Sequence, residues 1–100
     1  MGRLLEFFVR RVDVEGDSMA PTYRAGERLT ALRRWRRVRV GDVVVAADPR
    51  DGRWLLKRCA EVDGRMVELR GDNPDASTDS RHFGPVRRRS VTYLIVGAKR

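Results

Sequence analysis

Val43-Val44-Val45-Ala46-Ala47 is the longest unbroken apolar run in the chain, and turn-forming residues close it on both sides. Gly41-Asp42 precedes it and Asp48-Pro49-Arg50-Asp51-Gly52 follows it. A run this short between turn signals suits a strand buried on both faces. Downstream, Trp54 to Val62 reads as a strand, Asp63-Gly64 as a two-residue hairpin signal, and Arg65 to Arg70 as the returning strand.

The pattern continues in the other direction. Val38 to Val40 leads into Gly41-Asp42, and Arg28 to Leu32 reads as a short strand after the turn Arg24-Ala25-Gly26-Glu27. Leu4 to Val14 is rich in Phe and Val and reads as extended. Leu5, Phe7 and Val9 share one parity and Val12 and Val14 the other, so a bulge or bend is expected at Arg10-Arg11. Val91 to Val96 reads as the closing strand, with Arg87-Arg88-Arg89 as an exposed edge before it. Gly71 to Pro85 is polar and long for a connection in a small domain, and loops of that size are usually functional or disordered. No segment sustains a 3.6-residue apolar period, and no internal repeat is present. Short Val-rich strands between regular turns predict an all-β fold: a small coiled or barrel-like antiparallel sheet.

One hundred residues, 1–100, read as one small domain. Lys and Arg number 22 against 14 acids, a net charge of +8, and nearly all of the excess is Arg. Such a surface favours anionic partners, whether nucleic acid, acidic headgroups or an acidic polypeptide. The basic run Arg33-Arg34-Trp35-Arg36-Arg37 is open to two readings. One is a nucleic-acid or headgroup contact with Trp35 as a stacking or wedging group; the other is a solvated hairpin tip whose Trp covers the core. Cys59 is the single cysteine and His82 the single histidine. An internal disulfide is therefore excluded, a metal centre is not expected, and no cofactor is called for. The apolar opening segment is broken by Glu6 and followed by Arg10-Arg11, far short of the roughly 20 residues of a membrane span. The expectation is a cytoplasmic chain, at most peripheral to a membrane.

Val14-Glu15-Gly16-Asp17-Ser18-Met19-Ala20-Pro21-Thr22-Tyr23 places a serine hydroxyl between a flexible glycine and a stiff proline, with apolar Met19 beside it. Gly, Asp and Ser are ordinary turn formers, so a surface turn is one reading. The other is a nucleophile, which needs a base within hydrogen-bond reach. His82 sits between Arg81 and Phe83 with no evident carboxylate to orient it. Only two lysines occur among the basic residues, Lys57 and Lys99, and Lys57 lies inside a strand. Burial beside Leu55, Cys59 and Met19, with Arg58 adjacent, would lower its pKa toward a neutral amine. A lysine snorkelling from a strand edge is the alternative.

Three blocks together resemble the bacterial type I signal peptidase family of Ser-Lys peptidases. Gly16-Asp17-Ser18-Met19-Ala20-Pro21-Thr22 is similar to the family's nucleophile block. Gly41-Asp42-Val43-Val44-Val45 followed by Lys57-Arg58 is similar to its hydrophobic strand and base block. Gly71-Asp72-Asn73-Pro74-Asp75-Ala76-Ser77-Thr78-Asp79-Ser80-Arg81-His82-Phe83-Gly84-Pro85-Val86 is similar to its third block. The resemblance implies Ser18 as nucleophile and Lys57 as general base. It implies that Ser77 orients the lysine, that Asp79 and Arg81 brace the site, and that Gly71 leaves room beside the lysine. It also implies peptide substrates cut after small residues, bound as an added strand near Met19 and Pro21.

The chain departs from the family in two respects. Some members carry a hydroxyl two residues before the nucleophile, aimed at the oxyanion. Gly16 stands there, leaving the Ser18 backbone N–H and an unidentified second donor; loss of one such donor costs about a hundredfold in rate. The other expected departure is small size without an evident membrane anchor, in which the chain resembles the nickel-type superoxide dismutase maturation proteases. The expected function is removal of a leader or signal segment from a partner, with a nickel-superoxide-dismutase precursor as one candidate. The alternatives are a general signal peptidase acting on exported preproteins, a basic β-module binding nucleic acid, and a self-cleaving repressor-type domain. Only seventeen residues precede Ser18, which weighs against the last.

Overall fold

In a computed structural model the described residues are 8–99. Seven strands run through them: β1 (Val9–Asp13), β2 (Arg28–Arg33), β3 (Val43–Ala47), β4 (Trp54–Asp63), β5 (Met66–Arg70), β6 (Val86–Arg87) and β7 (Val91–Ile95). They form one antiparallel sheet in the order β1-β2-β7-β3-β4-β5-β6, curled into a half-barrel. The all-β expectation holds. A one-turn α-helix, α1 (Ser80–Phe83), and two short 3₁₀ turns lie in the connections.

The apolar run that suggested a strand buried on both faces is β3, and its alternation explains why. Val44 and Ala46 pack with Val38, Cys59, Leu69 and Leu94 on one side, whereas Val43 and Val45 pack with Met19, Tyr23, Tyr93 and Ile95 on the other. Successive side chains of a strand point to opposite faces, so only a continuous apolar run can serve two cores at once.

Three details differ from the sequence reading. Strand β1 pairs with β2 without interruption from Val9↔Leu32 to Asp13↔Arg28, so no bulge occurs at Arg10-Arg11. The side chains of Val9 and Arg11 lie exposed along this outer strand, so parity there was set by solvent rather than by a kink; Leu5 and Phe7 lie outside the described residues. The β4–β5 turn is centred on Gly64-Arg65, one residue later than expected, because Asp63 still pairs with Met66 and Gly64 supplies the positive φ of 57°. Trp35 is 58 % exposed and does not cover the core. The irregularities that do occur interrupt the β3–β7 register after Val45 and the β4–β5 register after Cys59.

Candidate active site

Lys57 sits in β4 opposite Val44 of β3, with Leu55 opposite Ala46. That register puts Lys57 on the Val44–Ala46 face, which the segment 71–85 covers through Phe83. The lysine is 4 % exposed. Burial lowers its pKa from the ordinary lysine value; Asp79 pulls it back up, Arg81 lowers it further, and Asp48 raises it. Arg58, expected to act in the same sense, points the other way. It forks onto Asp72, Nε to Oδ1 and Nη2 to Oδ2, both at 2.9 Å, and Nη1 reaches the Gly41 carbonyl at 2.8 Å. The cation that adds to the effect of burial on Lys57 is Arg81, brought from 24 residues away.

A chain of hydrogen bonds holds the amine. Lys57 Nζ donates to Ser77 Oγ at 2.9 Å, and Ser77 Oγ donates to Asp79 Oδ2 at 2.8 Å. Asp79 is fully buried and also accepts from the Gly71 N–H (2.9 Å) and the Arg81 N–H (3.0 Å). The Arg81 guanidinium closes on it as a fork, Nε to Oδ1 at 3.0 Å and Nη2 to Oδ2 at 2.5 Å. Burial by itself would raise the Asp79 pKa, but these donors, Arg81 foremost, hold it well below the usual carboxylate range. Asp79 is also the N-cap of α1 and forms a reciprocal capping box with His82, whose Nδ1 accepts from the Asp79 N–H. His82 is thereby a capping group, with a half-exposed side chain that does not line the cavity described next.

Ser18 is half-buried at the rim of a cavity of about 320 Å³ that it shares with Val14, Glu15, Met19, Asp48, Arg50 and the β4 residues Trp54 to Lys57. Met19 is buried in the core beneath it, while Pro21, on a cis peptide bond after Ala20, is exposed and not part of the lining. Gly16 has φ 68° and open space around its Cα.

Gly71 is where the two halves of the site meet. A Cβ there would lie 2.6 Å from both the Ser18 carbonyl oxygen and Ser77 Cβ, and closer still to Ser77 Oγ. The room that glycine leaves is therefore for Ser77 and the Ser18 backbone. Next to it, the Asn73 N–H donates to the Ser18 carbonyl at 2.8 Å, and Asn73 Nδ2 to the Asp17 carbonyl at 3.1 Å. Sequence reasoning assigned no role to Asp72, Asn73 or Ser80, whose Oγ accepts from the buried Leu69 N–H at 2.9 Å. Their only signal was membership in the long polar block.

Residues 2–72 match the family model described as signal peptidase, peptidase S26. The chain belongs to that family. The match spans Ser18 and Lys57 and stops before Ser77, Asp79 and Arg81. The chain is also 33 % identical over 107 aligned residues to the mitochondrial ATP-independent inner membrane protease subunit 1a of Arabidopsis thaliana. That alignment covers 80 % of this chain and 64 % of the relative, so the chain spans less than two thirds of the relative's length. Among the described residues no helix is long and apolar enough to cross a membrane, and no group of three or more His, Cys, Asp or Glu side chains could hold a metal ion.

Proposed function

We propose that this signal peptidase family member is a Ser-Lys endopeptidase that removes a leader segment from a precursor protein. The observation that carries the reading is the buried Lys57, its pKa lowered by burial, held by Ser77 in the cavity that Ser18 lines. The Ser18 hydroxyl attacks the scissile carbonyl and passes its proton to the neutral Lys57 amine. The Ser18 N–H stabilises the oxyanion. Lys57 returns the proton to the leaving amine, giving an acyl-enzyme ester and a released C-terminal fragment. Lys57 then deprotonates a water, which hydrolyses the ester and frees Ser18.

Strand pairing offers a path for the substrate. Strand β1 is terminal in the sheet, and β4 pairs with β5 only from Arg58 onward, leaving one edge of Trp54 to Lys57 unpaired among the described residues. The alternation of antiparallel neighbours runs β1 and β4 in the same direction. An extended leader can add its main-chain hydrogen bonds along either edge as it reaches Ser18.

The test is coexpression with a leader-bearing precursor followed by intact-mass analysis, and a nickel-superoxide-dismutase precursor is the first candidate to try. Wild type removes the leader, and Ser18→Ala and Lys57→Ala each abolish removal while keeping a folded domain. Equal cleavage by both variants sinks the mechanism; cleavage of exported preproteins instead of the dismutase precursor reassigns the substrate.

One observation favours a second, compatible reading. Arg34, Trp35, Arg36 and Arg37 join Arg65, Arg87, Arg88 and Arg89 around a cleft of about 870 Å³ with no acidic lining residue. This surface suits an anionic partner, a headgroup-bearing membrane before a nucleic acid, since exposed Val40 and Val96 lie beside Trp35. Sedimentation with anionic and with neutral vesicles, across a salt series, separates charge-driven docking from none.

A further inference from the structure

The turn between β3 and β4 carries a buried carboxylate that the serine–lysine chemistry does not use. Asp48 directly follows β3 and is 4 % exposed. Arg50 closes on it as a fork, Nε to Oδ1 at 3.0 Å and Nη2 to Oδ2 at 2.6 Å, and the Arg50 N–H adds a bond to Oδ1 at 2.8 Å. The Arg50 guanidinium also lies 5.3 Å from the centroid of the Phe83 ring. Phe83 ends α1, the helix that Asp79 caps. Asp48 and Arg50 line the same cavity as Ser18 and Lys57.

Lys57 is thus flanked by two carboxylate–guanidinium forks of the same form, with Arg two residues after Asp in each. Asp79–Arg81 comes from the long loop and Asp48–Arg50 from the turn. Simple fold stabilisation is a weak explanation for the second one, because burying Asp48 is costly while Arg50, its side chain 53 % exposed, attracts it through solvent-screened contact. Its location gives a stronger reason. A lone buried carboxylate beside a lysine favours the ammonium, the form that cannot accept a proton. A guanidinium locked onto that carboxylate opposes the effect and, through its seat on Phe83, ties the turn to the loop that holds Ser77.

We propose that Asp48 and Arg50 are positioning residues for Lys57, a second brace that joins the β3–β4 turn to α1 and balances the charge around the amine. The inference rests on reading Lys57 as the general base.

The charged groups facing the amine set the expected signs. Asp79 and Asp48 favour its charged form and Arg81 opposes it; Glu15, Arg50, Asp51 and Arg53 border the same cavity. Removing the Arg50 charge leaves Asp48 uncompensated and shifts the Lys57 titration to higher pH. Neutralising Asp48 leaves Arg50 uncompensated and shifts it to lower pH. A pair that only holds the turn together predicts no such opposition of sign.

The chain has two lysines, so carbon-13 labelling at lysine Cε gives two NMR titrations, with exposed Lys99 as internal reference for Lys57. The expected result is a lower Lys57 midpoint in Asp48→Asn, a higher one in Arg50→Gln, and a return toward wild type in the double variant. Shifts of one sign in both single variants, or no shift in either, overturn the proposal. Phe83→Leu supplies a separate arm if a charge variant fails to fold. It keeps both charges but removes the aromatic seat of Arg50, and it is expected to move Lys57 in the Arg50→Gln direction; an unmoved midpoint counts against the brace. The titration reads the amine and not cleavage, so a Lys57 that behaves as expected in a chain that cuts no leader overturns the peptidase reading alone.

Discussion

Ser77 accepts a hydrogen bond from Lys57 Nζ at 2.9 Å while giving its own proton to Asp79 at 2.8 Å. The direction of that relay matters. With its proton committed to a carboxylate held well below the usual range, Ser77 presents a lone pair to the lysine and takes one of the amine's N–H bonds. The lone pair of a neutral Lys57 is thereby left free for the cavity that Ser18 lines.

Ser77→Ala tests that relay. The substitution leaves Lys57 without its acceptor and Asp79 without one donor, but Gly71 and Arg81 still satisfy the carboxylate. Leader cleavage is expected to fall about a hundredfold through loss of aim, with kcat affected more than KM. A wild-type kcat in Ser77→Ala removes the hydroxyl from the mechanism.

The lowered pKa of Lys57 links activity to stability. Cleavage is expected to rise with pH through the depressed lysine value, because only the neutral amine accepts the Ser18 proton. Between that value and the ordinary one of about 10.4, the unfolded chain binds a proton that the folded chain does not. Stability therefore rises with pH across this window. Lys57→Met removes the titrating group and keeps most of its volume. Thermal melts across the window should show a raised Tm on its low-pH side and a flattened pH dependence; an unchanged slope refutes the assignment.

Asp79 carries the opposite sign. Its folded pKa is depressed, so its contribution is present above the ordinary carboxylate range and is lost as pH falls through the folded value. Asp79→Asn is expected to cost about 3 kcal/mol at neutral pH, since it removes a fully buried charge from its partner Arg81. Urea unfolding at neutral and at strongly acid pH checks this, with the gap between variant and wild type narrowing in acid.

Gly71→Ala probes the point where the loop meets the nucleophile turn. The added methyl would press on the Ser18 carbonyl and on Ser77, and neither backbone nor a fully hydrogen-bonded serine yields cheaply. A stability loss of about 1–3 kcal/mol is expected, together with a larger loss of cleavage than unfolding alone explains. Urea unfolding paired with single-turnover cleavage separates the two effects.

Gly16→Ser asks whether a hydroxyl at that position serves the oxyanion. The position has open space but φ 68°, a conformation that costs a non-glycine residue about 1 kcal/mol. A lower Tm is expected whether or not the rate rises. A rate gain of about a hundredfold or more marks the hydroxyl as a working oxyanion donor.

The strands were readable in advance because their signals are local. An uninterrupted Val43–Ala47 run, turn residues at Asp48–Gly52 and alternation along Trp54–Val62 each act within a few residues, and β3 and β4 formed there. Where the signal was weak the reading slipped: on exposed β1 parity carried no burial information, and at Gly64 the turn moved by one residue. The residues Ser18, Lys57, Ser77, Asp79 and Arg81 were also singled out in sequence, by their order and composition in three blocks. The resemblance implied a Ser77–Lys57 contact and an Asp79–Arg81 pair; residue types and spacing did not place the other contacts. Whether Lys57 is buried depends on the register that sets it opposite Val44, and on a loop that closes over that face from 14 or more residues away. The same closure turned Arg58 outward to Asp72, put Arg81 in its place as the neighbouring cation, and seated Arg50 on Phe83. Strand propensity and turn chemistry are properties of short segments; burial and charge pairing depend on which segments meet, and here only the curled sheet decided that.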